Sequence, residues 1–437
     1  MARYVALPLR EFLRVEAAGS IVLFAAAALA LLWANAPVDG WSQAYFDFWH
    51  THVSFEIGGW HVEESLQHWV NDALMVIFFF VVGLEIKYEL VNGDLRDPRT
   101  AALPIVAAIG GMAAPALIYL AIAGGGETGS GWGIPMATDI AFAVGVLGLL
   151  GRRLPSTARL FLLTLAIVDD IGAIVVIAVF YTADLSLEWL ALSLVLLAVV
   201  AVLRVLRVWS ILVYVVLGTA TWYALLESGV HATLAGVALG LLTPATPLLE
   251  EKVARGFALE ALRDRHLDPE ELARLRFLLT ESVPMVERLQ SRLHPFSAYV
   301  VLPVFALANA GVDLGGGALG DVFSSTVALG IVAGLVLGKP LGIALACFVA
   351  VRVGIARLPD RTSWTQIVGL GAVGGIGFTV SLFIAGLSFP GSAALTDEAK
   401  VGILLASLIA AAVGVAVLRL APSRAEGAGE TDSPAGG

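Results

Sequence analysis

The sequence predicts an all-α membrane protein of twelve transmembrane helices, and three observations predict it. Only 14% of its 437 residues are charged and 58% are hydrophobic, with a mean hydropathy of +0.87; a soluble domain carries about 25% charged residues. Apolar runs of roughly 20 residues recur along the chain, the length a helix needs to cross the hydrocarbon core, and they are too long and too unbroken for barrel strands. The basic residues alternate between successive loops.

The spans fall at 12–36, 66–90, 101–123, 132–151, 157–182, 187–204, 208–227, 229–243, 295–312, 324–351, 364–388 and 395–420. The seventh and eighth share one stretch broken at Glu227-Ser228-Gly229. Of the 26 lysines and arginines, 24 sit at the termini or in alternate loops. They run from Arg3, Arg10 and Arg14 through Lys87, Arg96, Arg99, Arg152, Arg153, Arg159, Arg204 and Arg207, then eight in the 244–294 loop, then Arg352, Arg357, Arg361, Arg419 and Arg424. Lys400 is the exception on the other side, and Lys339 lies inside a span. Cytoplasmic loops collect Lys and Arg, so the chain is expected to be a multi-pass inner-membrane protein with both termini cytoplasmic. The net charge of −10 and the absence of a basic patch beyond this pattern give no footing for nucleic acid. Cys347, the single cysteine, cannot form an intrachain disulfide.

Residues 1–420 are read as one twelve-helix domain. Its start imitates a signal peptide, with Arg10 and Arg14, an apolar run and then Ala34-Asn35-Ala36; the run is long, and the charge alternation works with it retained. Residues 37–65 form an outer loop in which Val53–Val62 alternates around Gly58-Gly59, a β-hairpin signal. It reads either as a cap on the helix ends or as a homodimer contact through 53–62, since a lone hairpin is marginal and leaves edges to pair. The cytoplasmic loop 244–294 carries Asp268-Pro269-Glu270-Glu271, a helix start, ahead of Leu272, Leu275, Leu278 and Leu279 at helical spacing, and reads as a solvated amphipathic helix. Residues 421–437, rich in Gly, Ser, Pro, Ala and Glu, are expected to be a disordered cytoplasmic tail.

Charges at mid-membrane cost roughly 2.5–3.5 kcal/mol each on insertion scales and mark functional sites. Asp169 and Asp170 stand side by side in the apolar run Leu162–Val176. Helix neighbours point about 100° apart, so one acid can face an ion cavity while the other faces a neighbouring helix. Mutual repulsion and desolvation both favour holding a proton on at least one near neutral pH. The bland alternative is a buried pair satisfied by its neighbours. Asp139 follows Gly131, Gly133, Pro135 and Thr138, residues that weaken or interrupt a helix; there it would offset positive half-helix ends, or else face water at an ordinary kink. Span eleven has a matching weakness at Gly369, Gly371, Gly374, Gly375 and Gly377, then Thr379 and Ser381. The Gly-x-Gly-x-x-Gly at 369–374 is not a dinucleotide site, because no strand or βαβ unit surrounds it. Two interrupted spans in corresponding places of two halves are the pattern of a transporter site. Lys339, in Gly338-Lys339-Pro340, needs a partner, and a span-five aspartate is the natural candidate; offsetting negative half-helix ends in span eleven is a second role, and snorkelling to the surface is the alternative. Asp72, Glu85 and His231 sit nearer span ends. No Ser-His-Asp set, Walker motif or Cys/His metal site appears, so neither an enzyme nor a resident cofactor is expected, and energy must come from an ion gradient. The residues leave a proton-coupled cation exchanger, a sodium-coupled solute symporter and a passive cation channel open, with the paired acids and buried lysine favouring proton coupling.

At these residues the chain resembles the NhaA sodium/proton antiporters over about 10–420. The stretches that carry the resemblance are Asn71–Met75, Val82–Lys87, Ala137–Phe142, Val168–Ala173, Gly229–Thr233, Leu293-His294-Pro295, Ala308–Val312, Gly338–Gly342 and Gly377–Ser381. The resemblance implies twelve helices, an inverted repeat relating spans three to five to spans ten to twelve, and interrupted spans four and eleven crossing centrally. It implies exchange of Na+ or Li+ for H+, with Asp170 as main ion ligand and proton carrier, Asp169 beside it and paired with Lys339, and Thr138 and Asp139 lining the site or balancing helix ends. Asp72, Glu85 and His231 would belong to funnels or to a pH response, and the hairpin to a dimer contact. One departure stands out: many relatives carry an acid where this chain has Gln290. Gln290 cannot ionise, which shifts the expected pH response or moves it to Glu287 and others.

Overall fold

In the computed structural model, residues 2–421 are described except 39, 58–59, 151–153, 183–184, 207, 209–210, 250–251, 253–254, 257–267 and 316–323. The side chains of 2–17, 55–57, 60–62 and 211 also lie outside the description. The Gly58-Gly59 turn, Arg152, Arg153, Arg207, Arg263, Arg265 and the tail 422–437 therefore fall outside the described residues.

Helix α1 runs Ala2–Ala34 and α2 Trp41–Trp49. Strands β1 (His52–Ile57) and β2 (Trp60–Ser65) pair antiparallel, from His52 opposite Ser65 to Ile57 opposite Trp60. That register leaves a two-residue connection where alternation around Gly-Gly predicts a hairpin. Leu66–Trp69 leads through a π turn, Val70–Leu74, into α3, Met75–Val91. Then come α4 (Pro98–Ala123), a 3-10 segment (Gly126–Met136), α5 (Ile140–Leu149), α6 (Ser156–Phe180), α7 (Leu187–Val205), α8 (Ile211–Glu227) and α9 (Thr233–Leu242). Helix α10, Pro269–Glu281, starts where Asp268 accepts the Glu271 amide at 2.7 Å. Helix α11 (Met285–Phe296) passes through a π turn (Ser297–Val301) into α12, Leu302–Asn309. Last come α13 (Thr326–Val353, with a π turn at Gly334–Gly338), α14 (Trp364–Gly374), α15 (Phe378–Ser388) and α16 (Ala393–Leu420).

Among the described residues, α4, α6, α7, α13 and α16 are each long and apolar enough to cross a membrane. Two further pairs, the 3-10 segment with α5 and α14 with α15, pass together but bend by 48° at a short break. Shorter apolar helices cover Ala18–Ala34, Leu212–Glu227 and Thr233–Leu242. The predicted spans 66–90 and 295–312 are both helical runs divided by a π turn.

Lipid tails are as apolar as leucine, so these helices are held by close packing rather than by hydrophobic transfer. Small residues supply it. On α9, a Cβ at Gly236 would meet the Val76 carbonyl of α3 at 2.3 Å. On α13, one at Gly342 would meet the Gly110 carbonyl of α4 at 2.2 Å. Helix α4 also packs on α6, and α14 on α16, while α1 lies against α5 and α12. Helix α7 buries only Ser193 and Val200 and forms part of the outer face. The large buried residues, among them Tyr119, Phe305, Ile134, Leu165 and Lys339, surround the two broken pairs.

Candidate functional site

The two breaks face each other. Residues 137–139 leave the helix between the 3-10 segment and α5, and residues 375–377 do so between α14 and α15. The Asp139 amide donates to the Ile376 carbonyl at 2.7 Å, which ties the breaks together. Gly375 permits the approach on its other side, because a Cβ there would sit 2.3 Å from the Leu335 carbonyl of α13.

Four half-helix ends thus meet in the interior, and each finds a partner of the right sign. Asp139 serves the two N-terminal, positive ends. Its Oδ1 accepts the Phe142 amide of α5 at 3.0 Å, and its Oδ2 accepts the Thr379 amide and hydroxyl of α15 at 2.9 and 2.5 Å. The C-terminal, negative ends are met by donors. The Thr138 hydroxyl lies 2.8 Å from the Gly374 carbonyl at the end of α14. Lys339 Nζ donates to the Met136 carbonyl at the end of the 3-10 segment. The negative end that Lys339 meets therefore belongs to span four, where the sequence pointed to span eleven. The reason is packing: a Cβ at Gly334 of α13 would meet Pro135 of the 3-10 segment at 2.8 Å, so α13 lies close enough for Nζ to reach Met136.

Lys339 is fully buried and also donates to Asp169 Oδ2. The Thr138 hydroxyl lies 2.6 Å from that same oxygen, and its single proton serves Asp169 or Gly374 at one time. Asp169 Oδ1 is buried with no hydrogen-bond partner among the described residues. Its neighbour Asp170, 100° round the helix, points elsewhere. Asp170 is 6% exposed and lines a cavity of about 40 Å³ together with Glu85, Thr138, Asp139, His294, Ser297 and Thr379. No described residue donates a hydrogen bond to its carboxylate, and its charged surroundings are Asp169, Glu85, Asp139 and Lys339. That cavity volume admits a water molecule or a small ion, and its lining offers oxygen, the ligand type hard cations take.

The structure brings Asp170, Asp169, Thr138, Asp139, Lys339 and Glu85 together. It leaves three singled-out residues elsewhere. Asp72 sits in the π turn at the other end of α3, 13 residues or about 20 Å along the helix from Glu85; its carboxylate is 4.0 Å from His68, and its carbonyl accepts the Trp222 indole at 2.8 Å. His231 places Nε2 2.7 Å from the Tyr181 carbonyl at the end of α6, a bond a ring N–H makes as donor. Glu287 lies in the first turn of α11, where burial pushes its carboxyl above the ordinary glutamate value. Two cavity residues carried no assigned role from the sequence, His294 and Ser297. The only signal for them was the Leu293-His294-Pro295 stretch, and nothing local shows that α11 brings it opposite Asp170.

Residues 10–418 match the family described as Na+/H+ antiporter 1. The chain is 48% identical to the Na+/H+ antiporter NhaA 2 of Sorangium cellulosum, across 98% of this chain and 92% of that protein. It is 46% identical to NhaA 3 of Frankia alni, across 96% and 90% of the two chains. It is 46% identical to NhaA of Shigella dysenteriae serotype 1, across 94% and 98%. The likeness thus spans both broken helices, both aspartates and the buried lysine, and the chain belongs to the Na+/H+ antiporter 1 family.

Proposed function

We propose that this protein is a secondary active transporter that exchanges Na+ or Li+ for H+ through Asp170, in sodium and pH homeostasis. The observation that carries the reading is the division of labour between adjacent acids. Asp169 is held by Lys339 and Thr138, whereas Asp170 faces the cavity without a donor. A carboxylate left free in an oxygen-lined cavity binds either a cation or a proton, and each excludes the other. Taken alternately to the two membrane faces, such a site takes up Na+ on one side, and on the other releases it and accepts H+. If Asp169 or Lys339 also gives up a proton in the cycle, more protons than sodium ions move and the exchange is electrogenic. Thr138 and Asp139 hold the helix ends so that the cavity keeps its shape. Glu85 lies at the cavity wall as a cation funnel, Asp72 and His231 at the opposite end of the bundle, and Glu287 carries part of the pH response that Gln290 cannot.

The wider architecture of this reading is twelve crossings with both termini cytoplasmic in the inner membrane. Seven spans counting each bent pair, three shorter apolar helices and the two π-divided runs at 66–90 and 295–312 support that number. An inverted repeat is supported by the equal 48° bends, each in the middle member of a three-span set, α4 to α6 and α13 to α16. The hairpin supplies a homodimer contact through 53–62. The test is Asp170→Asn in sealed vesicles energised by a pH gradient. Added Na+ or Li+ should collapse the gradient with the parent protein and leave it intact with the variant. Undiminished collapse with Asp170→Asn refutes the assignment, and a scan over pH with Na+, Li+ and K+ gives the ion preference.

A further inference from the structure

We infer that α10, in the loop 244–294, is an interfacial helix whose partner is the lipid surface of the membrane that the chain spans. At 100° per residue, Leu279, Leu272, Arg276, Ala273 and Phe277 fall on one arc of about 160° around its axis, with Pro269 and the half-buried Thr280 between them. Leu272, Phe277 and Leu279 are 56%, 57% and 45% exposed. The opposite side faces the protein. Glu271, Leu275 and Leu278 are half-buried there, with Arg274 exposed beside them, while Glu281, about 40° past Phe277 on the flank of the arc, is buried and paired with Arg288 at 2.8 Å. A helix resting on protein in water hides its apolar stripe and exposes its acids; α10 half-buries Glu271 and buries Glu281 while three large apolar side chains are exposed, with Glu270 at the edge of the arc.

Two observations select lipid as the occupant. The first is depth. The end of α10 is tied to the membrane ends of the bundle, because Leu248 and Leu249 donate their amides to the Glu281 carbonyl at 3.1 and 3.2 Å. The Val286 amide donates to the Pro244 carbonyl at 3.1 Å, and Val286 is buried with Leu84 of α3 and Ala245. Exposed apolar residues continue from there, at Val283 in the turn and at Phe296 and Val300 on the run that enters the bundle. The second is charge. Arg276 is the one charged residue inside the arc, and it carries an aliphatic stem and a guanidinium that pairs with phosphate, the form an apolar–headgroup boundary accepts.

Single cysteines at Leu272, Phe277, Leu279 and Glu270 in a Cys347→Ala background, each carrying a nitroxide, test this in full-length protein. Cys347 is the only native thiol and is buried, and retention of antiport in the background screens for folding. The protein is placed in nanodiscs of phosphatidylcholine with phosphatidylglycerol. Labels at 272, 277 and 279 should be relaxed by oxygen in preference to a water-soluble nickel chelate, and the label at 270 should show the reverse. Labels at 272 and 277 as open to nickel as the one at 270 would overturn the proposal. So would labels closed to both reagents, which would mean that protein covers the face. Omitting phosphatidylglycerol, or introducing Arg276→Gln, should shift the label at 272 toward water; no shift in either case would overturn the role given to Arg276.

Discussion

Lys339 and Asp169 meet with neither side chain exposed, and at that depth an ion pair is a matched liability more than a source of stability. Removing one member of a buried pair costs about 3–5 kcal/mol because the other charge stays behind, while replacing both is often near neutral. Lys339→Met alone should therefore lower the thermal midpoint of the detergent-purified protein sharply, and Asp169→Asn with Lys339→Met should recover much of the loss. Additive losses across that double-mutant cycle would show that the two do not act as a pair. Glu287 offers a test of a different kind at the rim. Burial holds its carboxyl above the ordinary glutamate value of 4.5. Between the ordinary and the raised value the folded chain binds more protons at this site than the unfolded chain, so stability falls as pH rises across that window and levels off above it. Glu287→Gln should flatten that part of a melting-temperature profile, and an unchanged slope would place its origin in another group.

At the scale of elements, the site depends on how closely α13 approaches α4. Gly110 and Gly342 put backbone against backbone, and Gly338 brings α13 within reach of Pro115. Gly342→Val has no room at that crossing; overpacking costs about 1–3 kcal/mol and pushes α13, with Lys339 one turn away, off Asp169. Antiport should then fall further than in Gly386→Ala, where the added methyl meets nothing within 4 Å. Equal activity in the two would mean that the crossing does not set the position of Lys339. The breaks in spans four and eleven were legible because Gly131, Gly133, Pro135 and the Gly374–Gly377 cluster each weaken a helix locally. The charge on Lys339 was legible for the same reason, as a local exception in an apolar run. Three π turns were not, since a π turn inserts one residue into the helical repeat without requiring a particular residue type. Nor was the presence of His294 and Ser297 beside Asp170, which depends on how α11 and its π turn lie across α3 and α6. The reciprocal amides of Asn71 and Asn309, with Asn309 donating at 2.8 Å and Asn71 donating back at 3.4 Å, were hidden likewise by 238 positions of separation.

Across the whole molecule, three helices that line the cavity each carry a buried aromatic at its end away from Glu85 and His294. Phe79 stands beside the lining residue Phe78 on α3, Phe305 follows Leu302 on α12, and Phe383 follows Thr379 on α15. All three are buried. The Phe383 ring lies 5.3 Å from Phe79 and 6.4 Å from Phe305. On the far side of these rings, polar groups resume at Gln67, Asn71 and Asn309. A buried aromatic layer between two polar regions holds back water and ions, and an exchanger stays coupled only while such a layer separates its site from one face. Phe383→Ala should thin it, so that in the Asp170→Asn background, where exchange is off, vesicles lose trapped radiolabelled Na+ that Asp170→Asn alone retains. Phe383→Leu, which refills most of the volume, should stay tight, as should Leu345→Ala on the exposed side of α13. Folded protein carrying Phe383→Ala with Asp170→Asn that retains Na+ as well as Asp170→Asn alone would mean that the barrier lies in other residues, because removing a ring from a sealing layer has to open a path for the ion.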